Sequence, residues 1–137
     1  MLGRALGAAA LALVMTAGTA SAQNGGAQEP VSRGRPLSEW IADLKAAAPV
    51  IRNGAAYEIA SMGPAASAAV PALIEALDDP LAVVRFPVTV ALGEIGPAAA
   101  AAVPRLKRMM EEELNDDVAA AARRAIRHIQ PSALAGE

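Results

Sequence analysis

The sequence contains no cysteine and has few aromatic residues. Its 137 residues include one Trp, one Tyr, one Phe and one His. Without cysteine the chain forms no disulfide framework and offers no thiolate as a nucleophile or metal ligand. With a single His, a zinc site would need carboxylates for all its other ligands, which is an unusual set for that metal. These absences exclude thiolate catalysis and the common zinc sites.

The single histidine also argues against triad chemistry, which needs a nucleophile, a base and an orienting acid. His128 lies beside Arg127 near the end of the last predicted helix, where the helix dipole favours cations. The densest acidic cluster, residues 111–117, lacks the alternating ligands and central Gly of a calcium loop. The sequence therefore predicts no catalytic residue, no cofactor and no metal site.

The first residues have the pattern of a secretory signal peptide. In MLGRALGAAALALVMTAGTASAQ, Arg4 is followed by an apolar run over residues 5–17 and by the small residues ASA before Gln23. We predict that residues 1–22 are a signal peptide cleaved after Ala22, and that the protein is bacterial and is exported to the periplasm or secreted. An uncleaved membrane anchor is the alternative, although the run is shorter than the roughly 20 apolar residues of a spanning helix.

Cleavage would leave eleven Lys and Arg against fourteen Asp and Glu, a net charge of −3. This balance predicts neither nucleic-acid binding nor attraction to an anionic membrane. Residues 23–35, QNGGAQEPVSRGR, lack apolar periodicity and predict a flexible linker. A folded domain is expected over residues 36–130, followed by a C-terminal tail over residues 131–137.

One segment of twelve residues occurs twice in the sequence with few changes. MGPAASAAVPAL at residues 62–73 returns as IGPAAAAAVPRL at residues 95–106, an offset of 33. A third copy, VAAAARRAIRHI at residues 118–129, follows VRFPVTVALGEI at residues 84–95 with an offset of 34. Repeats of this length are helix pairs that cannot bury an apolar face alone and must stack to do so. We therefore predict an all-α solenoid of about three stacked antiparallel helix pairs.

The period places the two helices of each pair. The first, called the A helix, is expected to begin near Pro49, Pro80 and Val118, with Asp79 and Asp117 as N-caps. The second, called the B helix, is expected over about residues 36–46, 66–77 and 99–113. Prolines at 71 and 104 mark either a kink in a B segment or the true start of its regular helix.

Repeated Gly-Pro pairs are expected to form the corners between A and B helices. Gly63 and Gly96 would end their A helices at positive φ, which costs glycine little. Pro64 and Pro97 would then prevent continuation of the helix. These four positions are predicted to be structural.

The segments IRNGAAYEIASMGPAASAAVPALIEALDD and VRFPVTVALGEIGPAAAAAVPRL resemble HEAT repeats, in the short form known from phycobilisome lyases and many bacterial proteins. The resemblance covers residues 36–130. It implies a non-enzymatic scaffold that mediates protein–protein interaction. A lyase-type chromophore-attachment or other accessory factor and a self-assembling structural module are the alternatives, although no residue matches a catalytic signature.

The resemblance also implies a role for two arginines. Arg52 and Arg85 lie one period apart near the starts of A helices. In the family such an Arg commonly pairs with an Asp of the neighbouring turn, which here is Asp78 or Asp79. The third copy has Ala119 at this position, so the ladder of arginines would stop there.

B helices are expected to line the concave side of the stack, which such proteins use for partners. The candidate partner-binding residues are the charged positions on these helices, namely Glu39, Asp43, Glu75, Arg105 and Arg108. The partner is expected to be a protein, and the chain itself to be a monomer or weakly self-associating. Trp40 is expected to cover the open N-terminal end of the stack.

Overall fold

The computed structural model describes residues 28–137. It contains six α-helices, which we number α1 (Leu37–Asp43), α2 (Pro49–Met62), α3 (Val70–Ala76), α4 (Ala82–Ile95), α5 (Val103–Glu112) and α6 (Asp116–Ile129). A short antiparallel hairpin of β1 (Val31–Ser32) and β2 (Arg35–Pro36) precedes α1. The predicted signal peptide and the first part of the predicted linker lie outside the described residues.

The helices form two layers. The A helices α2, α4 and α6 pack side by side in chain order, and each B helix packs against the A helix that follows it, α1 on α2, α3 on α4 and α5 on α6. Their facing sides supply one apolar core, whose largest fully buried side chains include Ile59, Leu73, Leu77, Leu92, Ile95, Leu106 and Ile126. The predicted all-α solenoid of stacked helix pairs is confirmed.

Gly63 and Gly96 turn the chain at the ends of α2 and α4. Their φ angles are 59° and 80°, with ψ of −140° and −145°, a region open almost only to glycine. Each Gly-Pro pair opens a 3-10 segment, the first corner (Gly63–Ala69) and the second corner (Gly96–Ala102). Pro71 and Pro104 then lie in the first turn of α3 and α5, where a missing N–H breaks no helical hydrogen bond. They mark the start of regular helix.

A proline lies in the interior of α4. Pro87 cannot donate the backbone hydrogen bond that the carbonyl oxygen of Val83 would otherwise accept. The side-chain amide of Asn53 on α2 donates to that oxygen at 2.7 Å. Further along α4, the buried hydroxyl of Thr89 donates to the carbonyl oxygen of Arg85 at 2.8 Å. A gap in the hydrogen bonding of one helix thus becomes a hydrogen bond between neighbouring A helices.

Two predicted helix starts are wrong. The N-cap of α4 is Leu81 rather than Asp79, because the Asp79 carboxylate lies before the helix and is bound by Arg52. The N-cap of α6 is Asn115 rather than Asp117, and its side-chain oxygen accepts two backbone N–H groups of the first turn at 3.0 and 3.1 Å. Helix α4 thus begins without a side-chain cap, whereas α6 begins with Asn115, the polar residue whose side-chain oxygen reaches the N–H groups of the first turn.

The second part of the predicted linker is folded. Arg33 (φ 51°) and Gly34 (φ 77°) form the turn of the hairpin, and both take the positive φ of a two-residue type I′ turn. The Leu37 N–H donates to the carbonyl oxygen of Pro30 at 2.9 Å, which joins the hairpin to α1. Strands of two residues are too short to show any periodicity, so the sequence of the hairpin could not be distinguished from that of a linker.

Trp40 lies at the N-terminal end of the stack, half-buried against the core. Its Nε1 donates to the carbonyl oxygen of Ser32 at 3.2 Å. The guanidinium of Arg35 lies 4.0 Å above the centre of the indole ring, a distance at which a cation is attracted to the ring face. Trp40 therefore adds a side-chain link to the backbone hydrogen bond that joins the hairpin to α1.

The predicted C-terminal tail is also partly folded. Residues Pro131–Leu134 form a 3-10 segment that packs on α6, with Leu134 partly buried against the core. Pro131 follows Pro97 by the same offset of 34 that relates α6 to α4. This segment therefore lies at the repeat position of the two corners, with Gln130 (φ −155°) in place of the glycine.

Two helical stretches, Pro49–Ala76 and Ala82–Glu112, are long and apolar enough to cross a membrane by length and composition alone. Each is broken by a glycine corner, and 61% of the apolar window of the second is buried inside the stack. Core helices of a folded domain meet the same criterion, so these stretches are weak grounds for a membrane span.

Substitutions at two glycines of the A helices distinguish the effect of close helix packing on stability from the effect of helix propensity. A Cβ on Gly93 in α4 would lie 3.0 Å from the Cα of Ala125 in α6, whereas a Cβ on Gly54 in α2 would meet nothing within 4 Å. We expect Gly93→Ala to lower the free energy of unfolding by about 1–3 kcal/mol, because α4 and α6 must move apart. The matched Gly54→Ala should raise it by about 0.5–1 kcal/mol. Urea denaturation measures both, and a Gly93→Ala chain as stabilised as the Gly54→Ala chain would contradict the close helix contact.

Candidate protein-binding site

Arg52, near the start of α2, joins two loops of the stack. Its Nε binds Asp79 Oδ2 at 2.6 Å, and its Nη1 donates to the carbonyl oxygens of Ala46 and Ala47 at 2.9 Å each. Asp79, one of the two partners that the sequence offered, also accepts the Leu81 N–H at 3.0 Å. One ion pair therefore fixes both the loop before α2 and the loop before α4.

Arg85 repeats this arrangement one period later. Its Nε and Nη2 bind the two carboxylate oxygens of Glu113 at 2.8 Å each, and its Nη1 donates to the carbonyl oxygen of Asp79 at 2.8 Å. Glu113 in turn accepts the Asn115 N–H at 3.0 Å. Because Asp79 binds Arg52 with its side chain and Arg85 with its carbonyl, the two ion pairs form one continuous arginine ladder.

Both acids of the ladder are held in their charged form. Burial raises the pKa of Asp79, but the hydrogen bonds from Arg52 and the Leu81 N–H outweigh it, and the pKa is lowered. Hydrogen bonds from Arg85 lower the pKa of Glu113 against the opposing effect of burial. A lowered pKa in the folded state gives stability that is present above the unfolded pKa and is lost as the pH falls through the lowered value. The ladder is therefore sensitive to acid.

The ladder positions the N-terminal halves of the A helices, where the outer surface is apolar. Most large apolar side chains exposed in the described residues lie on the A helices or in the loops just before them. Those at or before a helix start are Val50, Ile51, Leu81, Val83 and Leu114, and Tyr57 lies in the second half of α2. The other exposed one is Val31 of the hairpin, and within residues 28–137 none lies on a B helix. The apolar surface therefore lies on the A layer.

An open groove of about 510 Å³ crosses the three A helices on this surface. Tyr57 on α2 and Val83 and Phe86 on α4 supply its apolar lining, and Asp117 and Arg124 of α6 supply its charges. Neither charged side chain takes part in an ion pair within residues 28–137. Apolar and aromatic contact area beside a few unpaired polar groups is the composition of a protein-binding surface.

Most of the predicted partner-binding charges on the B helices are bound to their own chain. The pairs are Glu39 and Asp43 with Arg35, Glu75 with Lys45, and Arg105 with Asp78. Arg108 is exposed on α5 and has no ion pair in the part of the chain that the structure describes. The structure distributes these residues over α1, α3 and α5, and the local pairing neutralises most of the charge that a partner would meet.

The groove residues were missed in the sequence because Val, Phe and Tyr at helical spacing resemble core positions. One signal was available: Val50 and Val83 lie one period apart, on a register different from that of the buried Val84 and Val88. Repeated apolar residues outside the core register indicate a continuous apolar strip on the surface of the stack.

The polar groups of the groove are few and of several kinds. Its polar side chains are two amides, one phenol, one carboxylate and one guanidinium, and no histidine lines it. Within residues 28–137, no three His, Asp or Glu side chains are grouped so that they could hold a metal ion. His128 is exposed at the other end of α6.

A family model described as HEAT repeats matches residues 37–127. The chain therefore belongs to the HEAT repeat family, as its resemblance to such repeats predicted. Neither the curated proteins nor the solved structures gave a match. HEAT repeats in general form scaffolds for protein–protein interaction.

The contribution of the ladder to stability can be tested by substituting two adjacent acids. The Asp79 side chain is 7% exposed beside Arg52, whereas that of Asp78 is 71% exposed beside Arg105. We expect Asp79→Ala to lower the free energy of unfolding by about 1–3 kcal/mol, because it leaves a partly buried guanidinium without its partner. The control Asp78→Ala should cost less than about 1 kcal/mol. Urea denaturation at neutral pH measures both, and equal losses would contradict a structural role specific to the ladder.

Proposed function

We propose that this HEAT repeat protein is an exported, non-enzymatic scaffold that binds a protein partner in the groove across its A helices. The observation that carries the proposal is the concentration of exposed apolar side chains on the outer surface of α2 and α4. Water-exposed aromatic and aliphatic groups in one groove are costly to leave uncovered, and a partner that covers them gains the corresponding free energy.

The contents of the groove define the partner's side of the interface. Tyr57 and Phe86 offer aromatic contact area, the kind of surface on which interface hot spots centre. A partner that places an apolar side chain against them would also meet Asp117 and Arg124. These charges select the polar groups that surround the anchor and set the rate of association. The partner is therefore a protein surface with an apolar anchor and flanking charges of both signs.

The export part of the proposal is supported by residues 1–22, which combine one basic residue, an apolar run and the small residues ASA. Protein recovered from the periplasm or the medium should begin at Gln23, since cleavage is expected after Ala22. N-terminal sequencing of the fractionated protein measures this. Recovery of the chain with Met1 intact in the membrane fraction would instead show an uncleaved anchor.

The binding groove can be tested in the producing cells by introducing a photo-crosslinking amino acid at a single position. At Tyr57 it should give a discrete adduct with one partner, and Val83→Asp in the same chain should remove that adduct because a carboxylate then faces the anchor. Glu75 on the B layer is the matched control, since its side chain is 67% exposed. Mass spectrometry of the adducts identifies the partner. An adduct from position 75 with none from position 57 would place binding on the B helices and contradict the groove.

A further inference from the structure

The side of α2 that faces the N-terminal end of the stack is only partly covered. By the repeat offsets, Ile51 in α2 corresponds to Val84 in α4 and Val118 in α6. Val84 and Val118 are 0% and 1% exposed, whereas Ile51 is 45% exposed. The two later positions each have a preceding A helix beside them. Ile51 therefore lies on the side of α2 where another A helix would pack.

The hairpin covers the remainder of that side. Glu58 of α2 corresponds by repeat position to Ala125 of α6, which packs against Gly93 of the preceding A helix. The carboxylate of Glu58 accepts a hydrogen bond from Ser32 Oγ at 2.6 Å and pairs with Arg33 Nε at 2.6 Å. The hairpin thus occupies the place of a preceding A helix.

The opposite end of the stack carries the opposite charge. The repeat counterpart of Gly93 in α6 is Arg127, which is exposed. If α6 of one copy packed on α2 of a second copy as α4 packs on α6, Arg127 would take the place of Gly93 and Glu58 the place of Ala125. The contact between Gly93 and Ala125 inside the stack would thus correspond to a contact between Arg127 and Glu58 of two copies. The two ends are therefore complementary in charge and in repeat position.

We propose that the exposed side of α2 is a docking surface for α6 of a second copy, and that the hairpin is a removable cap that keeps the chain monomeric. The cap has few contacts with α2 itself, because its strands are two residues long and the Arg33 side chain is 78% exposed, while Trp40 and Arg35 join it to α1. When it moves aside, Glu58 and Ile51 become free to receive the second copy. Such head-to-tail contacts are heterologous, so further copies can add at the free ends.

Charge exchange between two chains tests this docking directly. Glu58→Arg repels Arg33, which opens the cap, and gives the α2 end the same sign as Arg127. Arg127→Glu leaves the cap closed and reverses the sign of the α6 end. Each full-length variant alone should sediment as a monomer, whereas an equal mixture should form a dimer and double the mass, because the introduced charges are again opposite. Sedimentation velocity measures the mass, and circular dichroism verifies that both chains keep their helix content.

A second pair of variants keeps Glu58 in place. The combined Ser32→Ala and Arg33→Ala chain lacks the two side-chain contacts between the cap and Glu58 of α2 and should self-associate as its concentration rises. Adding Arg127→Glu should weaken that association by more than about tenfold, since like charges then meet. A mixture that stays monomeric, or self-association that Arg127→Glu does not weaken, would overturn the proposal. The groove contains none of these residues, so failure here leaves the proposed partner binding intact, and the reverse also holds.

Discussion

The arginine ladder is the interaction on which the register of this stack depends. The core is built largely from Ala, Val and Leu, and faces of small residues let neighbouring helices slide with little change in packing. A guanidinium that must reach one carboxylate and one loop carbonyl at the same time allows only one arrangement. Arg52 and Arg85 each do so, and they share Asp79. We interpret these buried pairs as devices that specify register, since net stability is a weaker expectation for buried ion pairs.

The register fixed by the ladder also shapes the surface. Arg52 and Arg85 directly precede Asn53 and Phe86, so the residues that order the loops and those that line the groove belong to the same turn of each A helix. Asn53 adds a hydrogen bond to the carbonyl that Pro87 leaves free, which fixes α2 against α4 at the groove itself. A rigid groove lowers the entropy lost on binding. The arginines that order the loops are thus followed directly in the chain by residues that line the groove.

The repetition predicted the fold because local signals recur at the same place in each copy, above all the Gly-Pro corners and the prolines of the B segments, while the acid for Arg52 was implied by the resemblance to HEAT repeats. Features that depend on contacts between unlike segments could not be predicted this way. Ser32 meets Glu58 across 26 positions, and no periodicity links them. The choice of Asn115 over Asp117 as a cap rests on loop geometry. The groove was hidden for a related reason, since an apolar residue is buried or exposed according to its neighbours and not according to its own type.

The residue type at a given repeat position depends on which helix of the stack the position belongs to. The position that is Glu58 in α2 is Ala91 in α4 and Ala125 in α6, and only the first lacks an A helix beside it within the described residues. Likewise, Thr89 is buried in α4 while its counterpart Arg123 is exposed in α6. Small residues occur where two A helices meet, and charged residues occur where the next neighbour is water or a cap. Agreement between the repeats therefore identifies the fold. Disagreement between the repeats identifies the surfaces that face water, the cap or another molecule.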